Sequence, residues 1–361
     1  MQKESRIETV LILQGGGSLG AYECGVFKTL AKNGIKFDLV AGTSIGAVNA
    51  AIIAGTKNND PANDLENFWL TLAERTTPSF LPDNIRAVWA STYSAIWGNP
   101  NAFAPKWTML TPDYFLPHTW PYFYDITPLK NTLNQYVEFT KLGDPNTPRL
   151  IVTSTDIQKG EPVTFDSKHG KIDADHVLAS AGYPFYGISW TRLDGRYLWD
   201  GSLLSNTPLR EVIDASPACD KKVYIVNLFP RIHEHLPANL SEAWHRARDI
   251  MHTDKTEHNV RMSKAFSRHL TLMKQMHDVI MHFLDTKQVD KIMKEKIMKI
   301  EPEYHKLATQ RGAIIKEIIR IERKEDSHFL FEDADFSLAT IKQLIKQGEE
   351  DARKVLAKKI T

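Results

Sequence analysis

The chain is poor in cysteine, in long apolar runs and in surplus charge of either sign. Cysteine occurs only twice in 361 residues, at Cys24 and Cys219, so no disulfide framework is expected and a reducing compartment fits. Cys24 falls in a helical stretch of small and apolar residues and reads as a buried free thiol. No stretch approaches the ~20 apolar residues that a membrane-spanning helix needs. The apolar run Val10 to Leu13 is far too short for a signal-peptide core. Lys and Arg number 45 against 44 Asp and Glu, a formal charge of +1, which gives no global reason to expect a nucleic-acid partner. Repeats and low-complexity tracts do not stand out. What remains is an ordinary folded composition, 42% hydrophobic and 25% charged. Its length suits one large α/β domain, or a domain of about 200–250 residues with an extension. The expected setting is cytoplasmic, with export by a route needing no N-terminal signal left open.

Two strand–turn–helix units open the chain. Thr9 to Leu13 is a β-rich run broken by Gln14-Gly-Gly-Gly17, and Ala21 to Asn33 has helical composition, with Gly34 as its C-terminal cap. Phe37 to Ala41, Gly42-Thr-Ser-Ile-Gly46 and Ala47 to Ala54 repeat the pattern. Such alternation predicts a parallel sheet with helices on its faces. Residues 76–128 hold eight prolines and four of the eight tryptophans, which predicts an irregular insertion rather than a regular helix, packed over the core or acting as a lid. Leu150 to Ser154 is a strand. Thr155 to Phe165 reads as a hairpin turning at Lys159-Gly160, and Leu193 to Gly201 as a second with its turn at Asp194-Gly195. Asp173 to Ala181 suggests a short helix and Lys222 to Phe229 a core strand. From about residue 240 glycine nearly vanishes, and isoleucines such as Ile297, Ile300, Ile314, Ile315, Ile318, Ile319 and Ile321 alternate with charges. That pattern predicts antiparallel amphipathic helices on the main domain, with contact between a basic face and anionic lipid as the sharper alternative. The expected division is residues 1–235 as the α/β domain and 236–361 as a helical region packed on it.

The chemistry gathers at three places. Gly42-Thr43-Ser44-Ile45-Gly46 fits G-x-S-x-G between a strand and a helix, where a sharp turn lifts a serine Oγ out of the sheet. Gly42 and Gly46 remove Cβ atoms that would meet neighbouring backbone, and the following helix aims its positive end at Ser44. Gly15, Gly16 and Gly17 can turn successive N–H groups toward a developing oxyanion, with the amide of Ile45 as a further donor. Gly15-x-Gly17-x-x-Gly20 also satisfies the dinucleotide fingerprint. That motif needs an acid at the end of the second strand, however, and Asp38 stands at its start. For the base, His233 and His235 suit a Ser-Asp-His order, whereas His169 and His176 sit at no obvious strand end. Asp200-Gly201 closes a hairpin of aromatic and apolar residues, where a carboxylate can be desolvated and made more basic. By itself an Asp-Gly pair is more often a simple turn, as at Asp194-Gly195.

Gln14-Gly-Gly-Gly-Ser-Leu-Gly-Ala-Tyr22, Gly42-Thr-Ser-Ile-Gly46 and Asp200-Gly201 resemble, in order and spacing, the motifs of the patatin-like phospholipases. Ala179-Ser-Ala-Gly-Tyr-Pro-Phe185 is similar to a shortened form of that family's Ala-Ser-x-x-x-Pro segment. The tail, with Asp335-Phe-Ser-Leu-Ala-Thr-Ile341, Gly348 and Asp351-Ala352, resembles the close of bacterial members carrying extra C-terminal helices. The resemblance implies a three-layer α/β/α domain with a mainly parallel sheet. It also implies a Ser–Asp dyad without histidine: Ser44 as nucleophile, Asp200 as base, Gly15, Gly16 and Gly17 as oxyanion hole. Lipid acyl esters are then the substrates, with no metal and no cofactor. Many members carry Arg or Lys where this chain has Leu19, so a cationic contribution there is missing. An acyltransferase or thioesterase at the same site, or a silent lipid-binding protein of the same fold, are the competing readings. Peripheral membrane contact is expected and oligomeric state is left open.

Overall fold

The computed structural model describes residues 7–108, 116, 120–232, 236–286, 290–311, 313–324 and 332–360. Its elements in chain order are β1 (Glu8–Leu13), α1 (Gly20–Lys32), β2 (Leu39–Thr43), α2 (Ile45–Ala54), α3 (Pro61–Leu72), α4 (Asp83–Trp97), β3 (Ala104–Pro105), β4 (Tyr124–Asp125) and α5 (Thr127–Tyr136). There follow β5 (Arg149–Asp156), β6 (Glu161–Asp166), α6 (Ala174–Leu178), β7 (Thr191–Leu193), β8 (Arg196–Asp200), α7 (Leu209–Ala215) and β9 (Lys221–Asn227). The chain ends with α8 (Leu240–Thr286), α9 (Lys291–Arg311), β10 (Ile315–Glu322) and α10 (Leu338–Ile360).

One sheet in the order β10-β9-β1-β2-β5-β8-β7, with β6 on β5, forms the core. The five strands from β10 to β5 are mutually parallel, and β6, β7 and β8 join antiparallel. Alternation along the strands sorts the apolar side chains onto two faces. Leu11, Leu13, Val40, Val152 and Val226 pack with residues of α1, α2, α3 and α10, whereas Val10, Ile12, Leu39, Ala41 and Val223 pack with Leu209 and Val212 of α7 and Val260 of α8. Helices therefore cover both faces of a mostly parallel sheet, the expected three-layer α/β/α arrangement. No helix among the described residues is long and apolar enough to cross a membrane.

Both expected hairpins form. Gly160 takes φ +66°, and the second turn takes φ +49° at Asp194 and +74° at Gly195, the pair of left-handed residues that a tight two-residue turn requires. Two expectations are corrected. The proline-rich stretch 76–128 contains α4, a regular helix of 15 residues. Its prolines flank rather than interrupt the helix: Pro82 occupies the N-cap, where a missing N–H costs no helical hydrogen bond. The isoleucines from Ile315 to Ile321 belong to β10 and not to an amphipathic helix. Parallel pairing with β9 buries Ile319 and Ile321 against the sheet core, and that burial outweighs a pattern readable either way. Ile297 and Ile300 do lie in α9. The tail closes on the main domain, with α10 packed on α1 and Tyr22 donating to Asp351 Oδ2 at 3.2 Å.

Candidate active site

Ser44 stands between β2 and α2 with φ 56° and ψ −127°. Among the described residues only Asn59 and Asp194 share a positive φ without being glycine, so the backbone holds this serine in a strained turn. The turn can be this tight because a Cβ on Gly42 would lie 2.1 Å from the Gly46 carbonyl oxygen. Ser180 then fixes its height. The Ser44 amide donates to Ser180 Oγ at 2.8 Å, and that hydroxyl donates onward to the Thr153 carbonyl at 2.5 Å. Ser180 falls in the Ala179–Phe185 segment, whose resemblance to the family's Ala-Ser-x-x-x-Pro motif gives it no role in holding Ser44. Ser180→Ala leaves the Ser44 amide and the Thr153 carbonyl unpaired, at a cost of about 1–3 kcal/mol. Thermal unfolding should show that loss, together with a fall in kcat larger than any change in KM.

Asp200 reaches Ser44 through strand register. β6 pairs along one edge of β5, from Ile151 to Asp156. The other edge is divided: β2 takes Arg149 to Thr153 and β8 takes Ser154 to Asp156. Where β2 ends, at the Thr43–Thr153 pair, β8 begins with Asp200 opposite Ser154. Hydroxyls of Thr43 and Thr153, 2.6 Å apart, tie that junction. Asp200 is fully buried, Oδ1 accepts from the Ser202 amide at 2.8 Å, and Oδ2 has no hydrogen-bond partner among the described residues. Burial pushes its pKa up to about 6, against the lowering pull of the Ser44 hydroxyl and the Ser202 donors. Ser44 and Asp200 line the same cavity, and no hydrogen bond joins the Ser44 hydroxyl to Oδ2 among the described residues.

The glycine loop needs one correction. Gly15 donates its N–H to Asn206 Oδ1 at 3.0 Å, so it is not a donor for an oxyanion. The amides of Gly16 and Gly17 meet no acceptor among the described residues, and the amide of Ile45 opens α2, where helical N–H groups have no partner within the helix. Gly17 takes φ +56°, and a Cβ there would stand 2.2 Å from the Asp333 carbonyl oxygen. Beneath the loop, buried Glu23 accepts from the Gln14 amide at 2.7 Å and from Asn49 at 2.8 Å. Asn206 and Glu23 carry no local sequence signal. Asp38 receives the Thr9 amide at 2.8 Å at the start of β2, the wrong end of the strand for a dinucleotide ribose.

Ser44, Ile45, Asp200, Asn206 and the three glycines line one cavity of about 450 Å³. Its walls are mostly apolar, from Leu72, Phe103, Ile126, Leu129 and Phe336, with Ser91, Ser94 and Ala95 of α4 on one side. One end is polar, and no sequence motif marks it: Arg248 and His252 of α8 lie there with Asp333, Tyr183 and Tyr186. Arg248 Nη1 is 3.2 Å from Asp333 Oδ2, which also accepts from the Tyr186 hydroxyl at 2.7 Å. His252 stacks on Phe229, with ring centroids 4.8 Å apart. His169 pairs with Asp166 at 3.0 Å and His176 caps its helix with Asp173 at 2.7 Å, both away from the cavity lining. His233 and His235 lie outside the described residues.

Residues 11–213 match the family model of patatin-like phospholipases. The chain belongs to the patatin-like phospholipase family. The matched stretch includes Ser44, Asp200 and the glycine loop and stops before β9. A patatin-like protein 4 of Arabidopsis thaliana is 25% identical over 203 residues, covering 51% of this chain and 44% of its own length. The cGAMP-activated phospholipase of Escherichia coli strain TW11681 is 23% identical over 252 residues, covering 61% of each. The chain thus spans about half the length of these curated relatives. Among solved structures, VipD from Legionella pneumophila aligns with a TM-score of 0.38 at 14% identity, over 98% of this chain and 67% of that one.

Proposed function

We propose that the protein is a serine lipid acyl hydrolase of the phospholipase A or lysophospholipase type, working through a Ser44–Asp200 dyad. The observation that carries this is the meeting of a strained serine and a desolvated carboxylate in an apolar cavity that also holds unpaired amides. Asp200 takes the Ser44 hydroxyl proton as Oγ bonds to the ester carbonyl carbon. The carbonyl electrons move onto oxygen, held by the amides of Gly16, Gly17 and Ile45. Collapse expels the alkoxide, which leaves with the proton from Asp200 and gives an alcohol and acyl-Ser44. Water attacks by the same route, releasing the fatty acid and restoring the serine. Incubation with a mixed lipid extract should yield free fatty acid and deacylated lipid with wild type and neither with Ser44→Ala. Acyl transfer to another alcohol or a thiol, without fatty acid, would favour the competing readings.

Helix α4 supports contact with a lipid surface. Its inner face is small, and Ser91, Ser94 and Ala95 border the cavity. Its outer face carries Ile85, Val88, Trp89, Ile96 and Trp97, with Trp89 57% and Trp97 65% exposed. These fall at helical spacing on one stripe, an apolar surface directly behind the cavity wall. Each tryptophan can bury its ring at the headgroup boundary. Trp89→Asp should lower hydrolysis of vesicle lipid by about tenfold, the equivalent of one lost side-chain insertion, and leave a soluble short-chain ester unaffected. Equal losses on both substrates would count against the lipid-facing role.

A further inference from the structure

Away from the cavity, three side chains able to ligate a metal meet between α8 and α9. His277 Nε2 of α8 lies 3.2 Å from each carboxylate oxygen of Glu301 on α9. His305 Nε2, one turn beyond Glu301, lies 2.9 Å from Oε1. One ligand atom from each residue lies within 4.8 Å of the other two. The spacing of Glu301 and His305 puts both on one face of α9. The His277 ring is held from outside the cluster: it stacks on Tyr304 with centroids 3.9 Å apart and 11° between planes, and Nδ1 faces Asp278 Oδ1 at 3.7 Å.

The plain reading is a carboxylate accepting from two imidazoles. Two observations favour more. Ligands about 2.0–2.1 Å from a tetrahedral zinc are about 3.3 Å apart, close to the 2.9 and 3.2 Å separations seen here. The Tyr304 stack holds the His277 ring with Nε2 turned toward Glu301, independently of any bond within the cluster. We propose that His277, Glu301 and His305 hold one divalent transition-metal ion of the zinc class, with water completing the shell, and that this ion clips α9 to α8. The helices have reason to need a clip. Apolar side chains on both, including Met276, Ile280, Met293 and Ile300, are exposed rather than buried between them. The inference does not depend on the acyl-hydrolase reading.

The test uses full-length, untagged, chelator-treated protein titrated with Co²⁺ and followed by visible absorption, with Zn²⁺ as competitor. The expected result is one saturable equivalent with the intense d–d bands of a four- or five-coordinate site, bleached by Zn²⁺. His277→Ala and His305→Ala should abolish the bands, and Glu301→Gln should weaken binding by about tenfold or more. Glu301→Gln keeps the side-chain shape, so its circular dichroism reports whether α8 and α9 stay folded. Zn²⁺ should also slow proteolysis between α8 and α9 in wild type and not in Glu301→Gln. Lack of a saturable cobalt spectrum, or one that survives the double substitution of both histidines, overturns the proposal.

Discussion

Ser44→Ala should lower kcat/KM on a soluble acyl ester by about 10^4-fold or more, the scale seen when a hydrolase loses its nucleophile. Folding should survive, because the Ser44 side chain makes no structural hydrogen bond among the described residues, and its backbone amide, held by Ser180, is untouched. The strained turn supplies a control that separates chemistry from structure. At φ 56° and ψ −127° only glycine rests without penalty, and such strain costs on the order of 1–3 kcal/mol. Ser44→Gly should therefore be as inactive as Ser44→Ala but unfold at a higher temperature. The conformation is then maintained for the position of Oγ and not for stability. Equal melting temperatures for the two variants would remove the strain argument, and residual activity in both would remove Ser44 as nucleophile.

Asp200→Asn is the second large effect, and here pH fixes the sign. A general base acts when ionised. With its pKa pushed up to about 6, wild-type kcat/KM should be level above neutrality and fall as pH drops through 6. The variant should lose several orders of magnitude at all pH values. His252→Ala, His233→Ala and His235→Ala should keep the wild-type profile; loss of activity in any of them, with Asp200→Asn active, would replace the dyad by a histidine base. The same shift makes a stability statement. A carboxyl whose pKa rises on folding stabilises the native state when protonated, and that contribution is lost as pH rises through the folded pKa. Above pH 6 the ionised, buried Asp200 costs the fold about 3 kcal/mol relative to a neutral side chain, for a shift from 3.8 to about 6. Asp200→Asn should thus raise the melting temperature at pH 7–8, and the gain should shrink as pH falls below 6 and vanish below about 4.

Local features of this site were legible in the sequence because local physics decides them. The runs of β1 and β2, the glycine turns and the Asp194-Gly195 reversal each depend on a few adjacent residues. Asp200 reads locally as a turn because its meaning lies in register: the handover from β2 to β8 along the edge of β5 brings it to the Ser44 turn, and no short window contains that. Ser180, Asn206 and Arg248 are further cases, since each meets the site from a distant segment and looks ordinary in its own. Gly15 shows the converse error. Its place in a glycine run suggested a free amide, and a side chain 191 residues away takes it. Helix α4 was hidden by prolines that punctuate its ends, and β10 by an isoleucine pattern that fits a helix face or a buried strand equally well. His277 and Glu301, 24 residues apart, show no recognisable metal-ligand spacing until the two helices are laid side by side.

The proposed dyad makes Ser44 nucleophilic through Asp200. Its most direct test is the rate at which a fluorophosphonate ester labels the protein, with the modified residue located by peptide mass. A single adduct on Ser44 is expected, formed more slowly as pH falls through about 6, and formed orders of magnitude more slowly in folded Asp200→Asn. Folded wild type left unlabelled at Ser44, or Asp200→Asn labelled as fast as wild type, would contradict it.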